Sequence, residues 1–255
     1  MEEVIIRRDG LKLYGILERA EGDKAPLVIM THGIMGDCGY DENSFFNGFY
    51  FIAQKLKAAG FSSLRFDFNG NGKSEGDHED MTVLSEVLDE IKVLQYARKL
   101  DFVSDIYLFG YSQGGAVASM VAGYFANQVK GLILAAPAAV LRENCEKGIM
   151  IDTPYDPKNP PQVITLTLGR EFRIGESYLR TGCGLPIYEV ASEYEGPVCL
   201  IRGNDDPIVP LHTCEKYAEV YRNCTFHQLP ACDHMTICPD ERTHEIILDF
   251  LASLN

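Results

Sequence analysis

Gly110-Tyr111-Ser112-Gln113-Gly114 decides how the rest of this sequence is read. It follows the apolar run Ile106-Tyr107-Leu108-Phe109, which reads as a short buried strand, and precedes Gly115 to Ala122, small residues suited to a helix. Between a strand and a helix, Gly-x-Ser-x-Gly is a sharp turn with a strained serine. The flanking glycines let strand and helix approach without Cβ clashes. The Ser112 hydroxyl then projects above the strand ends, beside a helix N-terminus. As a bare string the motif also fits a glycine-rich turn with an incidental serine. The surrounding chain separates the two readings.

Working outward, Val4-Ile5-Ile6 and Leu11 to Leu17 flank Asp9-Gly10, a hairpin signal, so the chain opens antiparallel. Leu27-Val28-Ile29-Met30 is continuously apolar, as a strand buried on both faces is, and runs into the loop His32-Gly33-Ile34-Met35-Gly36. A helix follows from about Ser44, with Ile52, Leu56 and Ala59 on one face and Gly60 as its stop. Ser63 to Asp67 is a strand. Leu84, Val87, Leu88, Ile91 and Leu94 mark an amphipathic helix capped by Thr82. Beyond the central motif come strands at Gly131 to Ala136, Val198 to Ile201 and Thr225 to Leu229. A helix lies around Thr213 to Tyr221, and the last has Ile246, Ile247, Phe250 and Leu251 inward. A hairpin followed by this alternation implies an α/β fold with a mostly parallel sheet flanked by helices. From Pro137 to Pro186 the alternation stops and the chain reads as proline-rich and irregular. So long a loop in a compact domain is usually functional. Residues 137–186 therefore read as a small lid inserted into a core domain of residues 1–136 and 187–255.

The composition is that of one large globular domain: 255 residues, 46% hydrophobic and 24% charged. Lys and Arg number 23 against 37 Asp and Glu, a net charge of −14 that disfavours nucleic-acid and anionic-membrane partners. The start Met1-Glu2-Glu3 lacks a secretory pattern, and no apolar run is long enough to span a bilayer. Eight scattered cysteines without metal-site spacing read as free thiols of a cytoplasmic protein. Gly72-Lys73-Ser74 imitates the end of a phosphate-binding loop, but Asp67 stands where that motif needs glycine.

A serine hydroxyl attacks well only when a histidine takes its proton, and that histidine is oriented by a carboxylate. In a sheet of this kind the three arrive in the order serine, acid, histidine, each at the C-terminal end of a strand. Ser112, Asp206 and His234 satisfy that order. Asp205 competes with Asp206, but only Asp206 gives the Gly-x-x-Asp-x-x-Val-Pro spacing from Gly203 to Pro210. His32 reads as a structural side chain of its loop and His227 as part of a strand. His78, His212 and His244 read as solvated or capping residues. Backbone N–H donors for a developing oxyanion are expected at Ile34 and Gln113.

With these motifs in place the chain resembles the α/β-hydrolase family over nearly its full length. More narrowly it is similar to the intestinal and rumen bacterial cinnamoyl (feruloyl) esterases. His32-Gly33, the Ser112 motif, Ala135-Ala136-Pro137-Ala138-Ala139, Leu185 to Val190 and Gly196 to Ile201 carry that resemblance. It implies a serine esterase that forms an acyl-enzyme and uses the insertion as a lid over an aromatic acyl pocket. Ile34 departs from it, since relatives often carry an aromatic residue there, as does much of the lid interior. Tyr155, Phe172 and Tyr178 are the aromatic candidates for the pocket, with Asp152, Thr153 and Glu176 as polar ones. The substrate implied is a small-molecule ester with a hydroxycinnamoyl acyl group. Short-chain esterase, lipase-like and peptidase-like hydrolases use the same three residues, and a ligand-binding module on a hydrolase fold is the non-enzymatic alternative. No metal or organic cofactor is implied, and a homodimer is compatible with the resemblance.

Overall fold

A computed structural model describes residues 1–255. Strand β1 (Glu2–Arg8) turns through Asp9 (φ 50°) and Gly10 (φ 94°) into β2 (Leu11–Glu18), the antiparallel hairpin that Asp9-Gly10 encodes. After it come β3 (Ala25–Thr31), α1 (Gly48–Ala58), β4 (Ser62–Phe66), α2 (Val83–Ala97), β5 (Val103–Tyr111), α3 (Gln113–Tyr124) and β6 (Gly131–Ala135). Helix α1 starts later than the sequence suggested, because Asp41 to Asn47 form side-chain-stabilised turns. The chain resumes the main sheet at β11 (Val198–Gly203), and α7 (Leu211–Val220), β12 (Cys224–Leu229) and α8 (Glu241–Ala252) close it. The eight strands lie in the order β1-β2-β4-β3-β5-β6-β11-β12, and β2 alone runs against the others. No helix is long and apolar enough to cross a membrane.

Alternation along the buried strands sends side chains to two cores. Leu27, Ile29, Leu132 and Leu134 face the larger one, beneath α2 and α3, whereas Val28, Met30, Ile133 and Ala135 face the smaller, beneath α1 and α8.

The stretch expected to be irregular is not. Between β6 and β11 lie α4 (Val140–Lys147), the short pair β7 (Ile149–Met150) and β8 (Thr153–Pro154), and the hairpin β9 (Val163–Leu168) and β10 (Arg170–Gly175). Helices α5 (Glu176–Gly182) and α6 (Ile187–Ala191) complete it. The hairpin was encoded by the period-two run Val163 to Leu168, which buries Ile164 and Leu166, and by Gly169 (φ 74°) at its turn. Of the prolines, Pro157, Pro160 and Pro161 fall in the connection before that hairpin and none lies within it. Ile164, Leu166, Ile174, Tyr178 and Leu179 join the larger core, so the insertion is seated on the α2–α3 face.

Helix α2 corrects a second expectation. Thr82 caps it as anticipated, its hydroxyl accepting from Ser85 N at 3.0 Å. Yet Leu84 and Leu88 are exposed, and the buried side carries Glu86, Asp89 and Glu90 beside Val83, Val87, Val93 and Leu94. Apolar spacing alone placed the stripe too far round, because two of the acids have long-range partners. Arg8 Nε donates to Asp89 at 2.6 Å, and Gln113 Nε2 donates to Glu86 at 2.7 Å. Glu90 faces only the Thr31 hydroxyl, and neither its carboxyl oxygens nor Thr31 Oγ1 makes a hydrogen bond of good geometry.

Burial pushes the Glu90 carboxyl up to about 8 from 4.5. The fold therefore holds a proton that the unfolded chain releases, and stability falls as pH rises between those two values. Denaturant titrations should show the wild type losing stability from about pH 5 to about pH 8. Glu90→Gln, which has no proton to lose, should cut that loss by on the order of 3 kcal/mol. Identical pH slopes for the two proteins would refute a neutral Glu90.

Candidate active site

The turn between β5 and α3 holds Ser112 at φ 56°, ψ −124°, a conformation that costs a non-glycine residue on the order of 1–3 kcal/mol. Tight packing on either side maintains it. A Cβ added at Gly110 would collide with Gly114 O, and one at Gly114 with the carbonyls of Thr31 and His32. Ser112 N donates to Ala135 O at 3.0 Å, and Ser112 O accepts from Ala138 N at 2.8 Å. The hydroxyl is thereby fixed at the C-terminal edge of the sheet.

Two loops at the same edge deliver its partners. His234, after β12, has Nε2 2.9 Å from Ser112 Oγ and Nδ1 2.8 Å from Asp206 Oδ2, after β11. His234 and Asp206 are buried. Asp206 Oδ1 accepts from Ile208 N at 2.8 Å and Val209 N at 2.9 Å, leaving Oδ2 for the histidine. Buried Arg202 stiffens that loop by donating to Asp206 O and Val209 O. Asp205 is exposed and points its carboxylate at neither residue. Such an array can draw the serine proton toward His234 Nε2 while the carboxylate steadies the imidazolium that forms.

Gly33 lies against the serine, since a Cβ built there would sit 3.4 Å from Ser112 Oγ. The backbone N–H groups of Ile34 and Gln113 donate to no acceptor in the protein, and the latter also opens helix α3. Two unspent donors beside a serine hydroxyl suit an oxyanion. His32 braces the loop: Nδ1 donates to Gly33 O at 2.7 Å, and Nε2 accepts from Phe68 N at 3.1 Å. Burial lowers its pKa, consistent with a neutral ring that donates once and accepts once.

Above Ser112 opens a cavity of about 550 Å³ between the sheet edge and the insertion. Ile34, Gln113, Leu141, Met150 and Ile208 supply its walls, with Asp152 and Tyr178 among its polar groups. Of the three aromatic candidates only Tyr178 lines it. Tyr155 instead donates to Cys145 O at 3.2 Å within the insertion, and Phe172 packs edge-on against His78. Both follow from local geometry: their segments bind the insertion to itself and to the loop after β4. Asp152 lines the cavity, whereas Thr153 does not and Glu176 pairs with Arg180.

Sequence reasoning missed the roles of Tyr111 and Glu86 beside the site and the partners of two histidines. Tyr111 donates to His234 O at 2.8 Å, holding the histidine loop from below. Glu86 accepts from Gln113 Nε2, and Tyr178 OH donates to Gln113 Oε1 at 2.5 Å, tying the insertion to the serine turn. Burial raises the Glu86 pKa well above the usual carboxylate range. His78 is half-exposed yet engaged, its ring nitrogens 2.7 Å from Arg173 O and 2.9 Å from Ile34 O. His244 is likewise buried, with Nε2 2.7 Å from Cys238 O. Only Tyr111, inside the motif, was signalled by position. No group of three or more His, Cys, Asp and Glu side chains is placed to hold a metal ion.

Known proteins share this chain's sequence in part and its fold throughout. The family model described as serine aminopeptidase, S33 (Hydrolase_4) matches residues 24–154. Monoglyceride lipase of Mus musculus is 28% identical over 139 residues, covering 52% of this chain and 42% of that protein. Proline iminopeptidase of Chitinophaga pinensis is 40% identical over 75 residues, 29% of this chain and 24% of its own. The chain thus spans less than half the length of these curated relatives. Among solved structures, Est1E from Butyrivibrio proteoclasticus with ferulic acid bound is 29% identical with a TM-score of 0.87. The match covers 98% of this chain and 99% of that one. The fold is the α/β-hydrolase fold.

The two neighbouring acids can be told apart by substitution. Asp206→Asn should lower ester turnover by on the order of 10⁴-fold, because the amide no longer fixes the imidazole tautomer. Asp205→Asn should stay within about twofold, as an exposed substitution without partners does. Kinetics on one activated ester decides it, and equal losses would move the role to Asp205.

Proposed function

The chain belongs to the serine aminopeptidase S33 family of hydrolases, and on that premise we propose that it is a serine esterase acting on hydroxycinnamoyl-type esters. One observation carries the reading: His234 lies within hydrogen-bond distance of both Ser112 and Asp206, beneath a cavity large enough for an aryl acyl group.

In this reading the Ser112 hydroxyl attacks the ester carbonyl as His234 Nε2 takes its proton, and the tetrahedral oxyanion is held by the Ile34 and Gln113 amides. Collapse expels the alcohol, which receives the proton from His234. Water, activated by the same imidazole, then releases the acid from the acyl-enzyme. The acyl ring lies along Leu141, Met150 and Ile208, and its hydroxyl meets the polar positions Asp152 and Tyr178. Est1E, alike over its whole length, binds ferulic acid, and that likeness supports the same acyl class here. A peptidase reading takes support from the family description. It requires capture of a substrate amine, and Asp152 is the one carboxylate on the cavity wall besides the site itself.

A panel of methyl ferulate, methyl butyrate, a monoacylglycerol and a prolyl anilide tests both. Methyl ferulate should show the highest kcat/KM among the unactivated substrates. Ser112→Ala should remove turnover by about 10⁴-fold or more and abolish labelling by a fluorophosphonate probe. A preference for methyl butyrate would overturn the acyl assignment, and a folded Ser112→Ala enzyme keeping a tenth of the activity would overturn the nucleophile.

A further inference from the structure

The Ile34 amide can receive an oxyanion only if its loop presents an N–H there and no carbonyl oxygen. A trans peptide points its C=O and N–H in opposite directions, so the Gly33 carbonyl sets where the Ile34 N–H points, and the next two carbonyls set how freely the loop after it can turn. Three consecutive carbonyls are tied, each by a different side chain. Gly33 O accepts from His32 Nδ1 at 2.7 Å and from Gly36 N at 2.9 Å. Ile34 O lies 2.9 Å from His78 Nε2. Met35 O accepts from Arg170 Nη2. His32 belongs to the loop itself, but the other two do not. Arg170 stands at the first position of β10, beside the turn residue Gly169, with its guanidinium 5.4 Å over the Phe45 ring. His78 sits after β4 with its other nitrogen 2.7 Å from Arg173 O; since both carbonyls only accept, the ring donates to both as the imidazolium and to one of them when neutral. Arg173 in turn pairs with Glu79 at 2.7 Å, and Gly175 has no room for a Cβ against Glu79 O, so β10 and residues 78–79 form one tight layer.

We infer that His78 and Arg170 are positioning residues for the oxyanion: they hold the Ile34 and Met35 carbonyls, in the two peptides after the one that carries the Ile34 N–H, and so keep the loop from turning that N–H away from the reacting carbonyl. The inference rests on the serine-esterase reading and gives the insertion a second task beyond shaping the acyl cavity. Released from these donors, the two peptides after Ile34 can rotate, and the Gly33–Ile34 peptide is then restrained from its own side alone. The Ile34 N–H loses its fixed aim at the developing negative charge. Neither side chain touches substrate in this scheme, and neither contributes a proton.

Loss of a whole oxyanion donor costs about 10²–10³ in kcat, so loosening one should cost about tenfold. The experiment measures kcat and KM for p-nitrophenyl acetate and methyl ferulate in Arg170→Met, Arg170→Lys, His78→Ala and His78→Gln. It adds the inhibition constant of a phenyl trifluoromethyl ketone, whose serine adduct carries the oxyanion. Arg170→Met and His78→Ala should each lower kcat about tenfold on both esters, with KM within about twofold, and weaken the ketone by the same factor. Arg170→Lys and His78→Gln, which keep a donor, should recover most of the loss. A rise in KM confined to methyl ferulate would mean that these residues only wall the cavity. So would unchanged kcat on both esters, and either result overturns the inference. If a truncation fails to fold by circular dichroism, Arg170→Gln and His78→Asn, too short to reach the same carbonyls, take its place under the same criteria. Failure of the underlying reading is distinct, because only then does Ser112→Ala remain active.

Discussion

The left-handed backbone at Ser112 is the constraint on which the other features depend. A φ of 56° at a serine is unfavourable in isolation, and it persists because its surroundings permit nothing else. Strand β5 and helix α3 meet at a contact only glycines allow. The serine's own N–H and C=O are committed to Ala135 and Ala138 on the neighbouring strand and its exit. The conformation lifts a hydroxyl clear of the sheet edge, where loops following β11 and β12 bring an imidazole and a carboxylate into line with it. Parallel strands make this economical. All their C-terminal ends lie on one side, so residues far apart in sequence arrive together without long detours.

Beneath that turn the protein tolerates an arrangement that a solvent-driven fold avoids, three acids on the inward face of α2. Each is handled differently. Asp89 has Arg8 and Asn69, Glu86 has the amide of Gln113, and Glu90 has no hydrogen-bond partner and keeps its proton instead. Glu86 is the instructive member, because Gln113 takes a hydrogen bond from Tyr178 while giving one to Glu86. The side chain next to the serine thus joins a core helix to the insertion, and the amide of that residue is fixed from both ends.

Much of this was legible in the sequence where the information is local. Asp9-Gly10 announces its turn through positive φ, Leu27 to Met30 announces burial on both faces, and Ser112, Asp206 and His234 announce themselves by order and strand-end placement. The reading failed where partners are distant. Leu84 and Leu88 fitted a helical stripe, yet the burial of Glu86 and Asp89 is settled by Gln113 and Arg8, which no window around α2 contains. Proline content hid the β9–β10 hairpin although Val163 to Leu168 alternates plainly. Tyr155 and Phe172 have the chemistry of pocket residues, but which way an aromatic side chain faces depends on the packing of its segment. His78 and Arg170 carried no signal, since their targets are backbone carbonyls, which every residue possesses.

The position of β10 has a consequence for how such a protein can change. Its turn at Gly169 borders the cavity, while Arg170, one residue on, grips a carbonyl of the loop beside the serine. On the roles proposed above, selectivity and rate fall to adjacent residues of one hairpin and are inherited together. An exchanged insertion that brings a new cavity wall also brings a new grip on that loop. Lineages altering their substrate are steered toward point changes at the wall, or toward insertions that retain a donor at this corner, while wholesale replacement starts from an impaired catalyst.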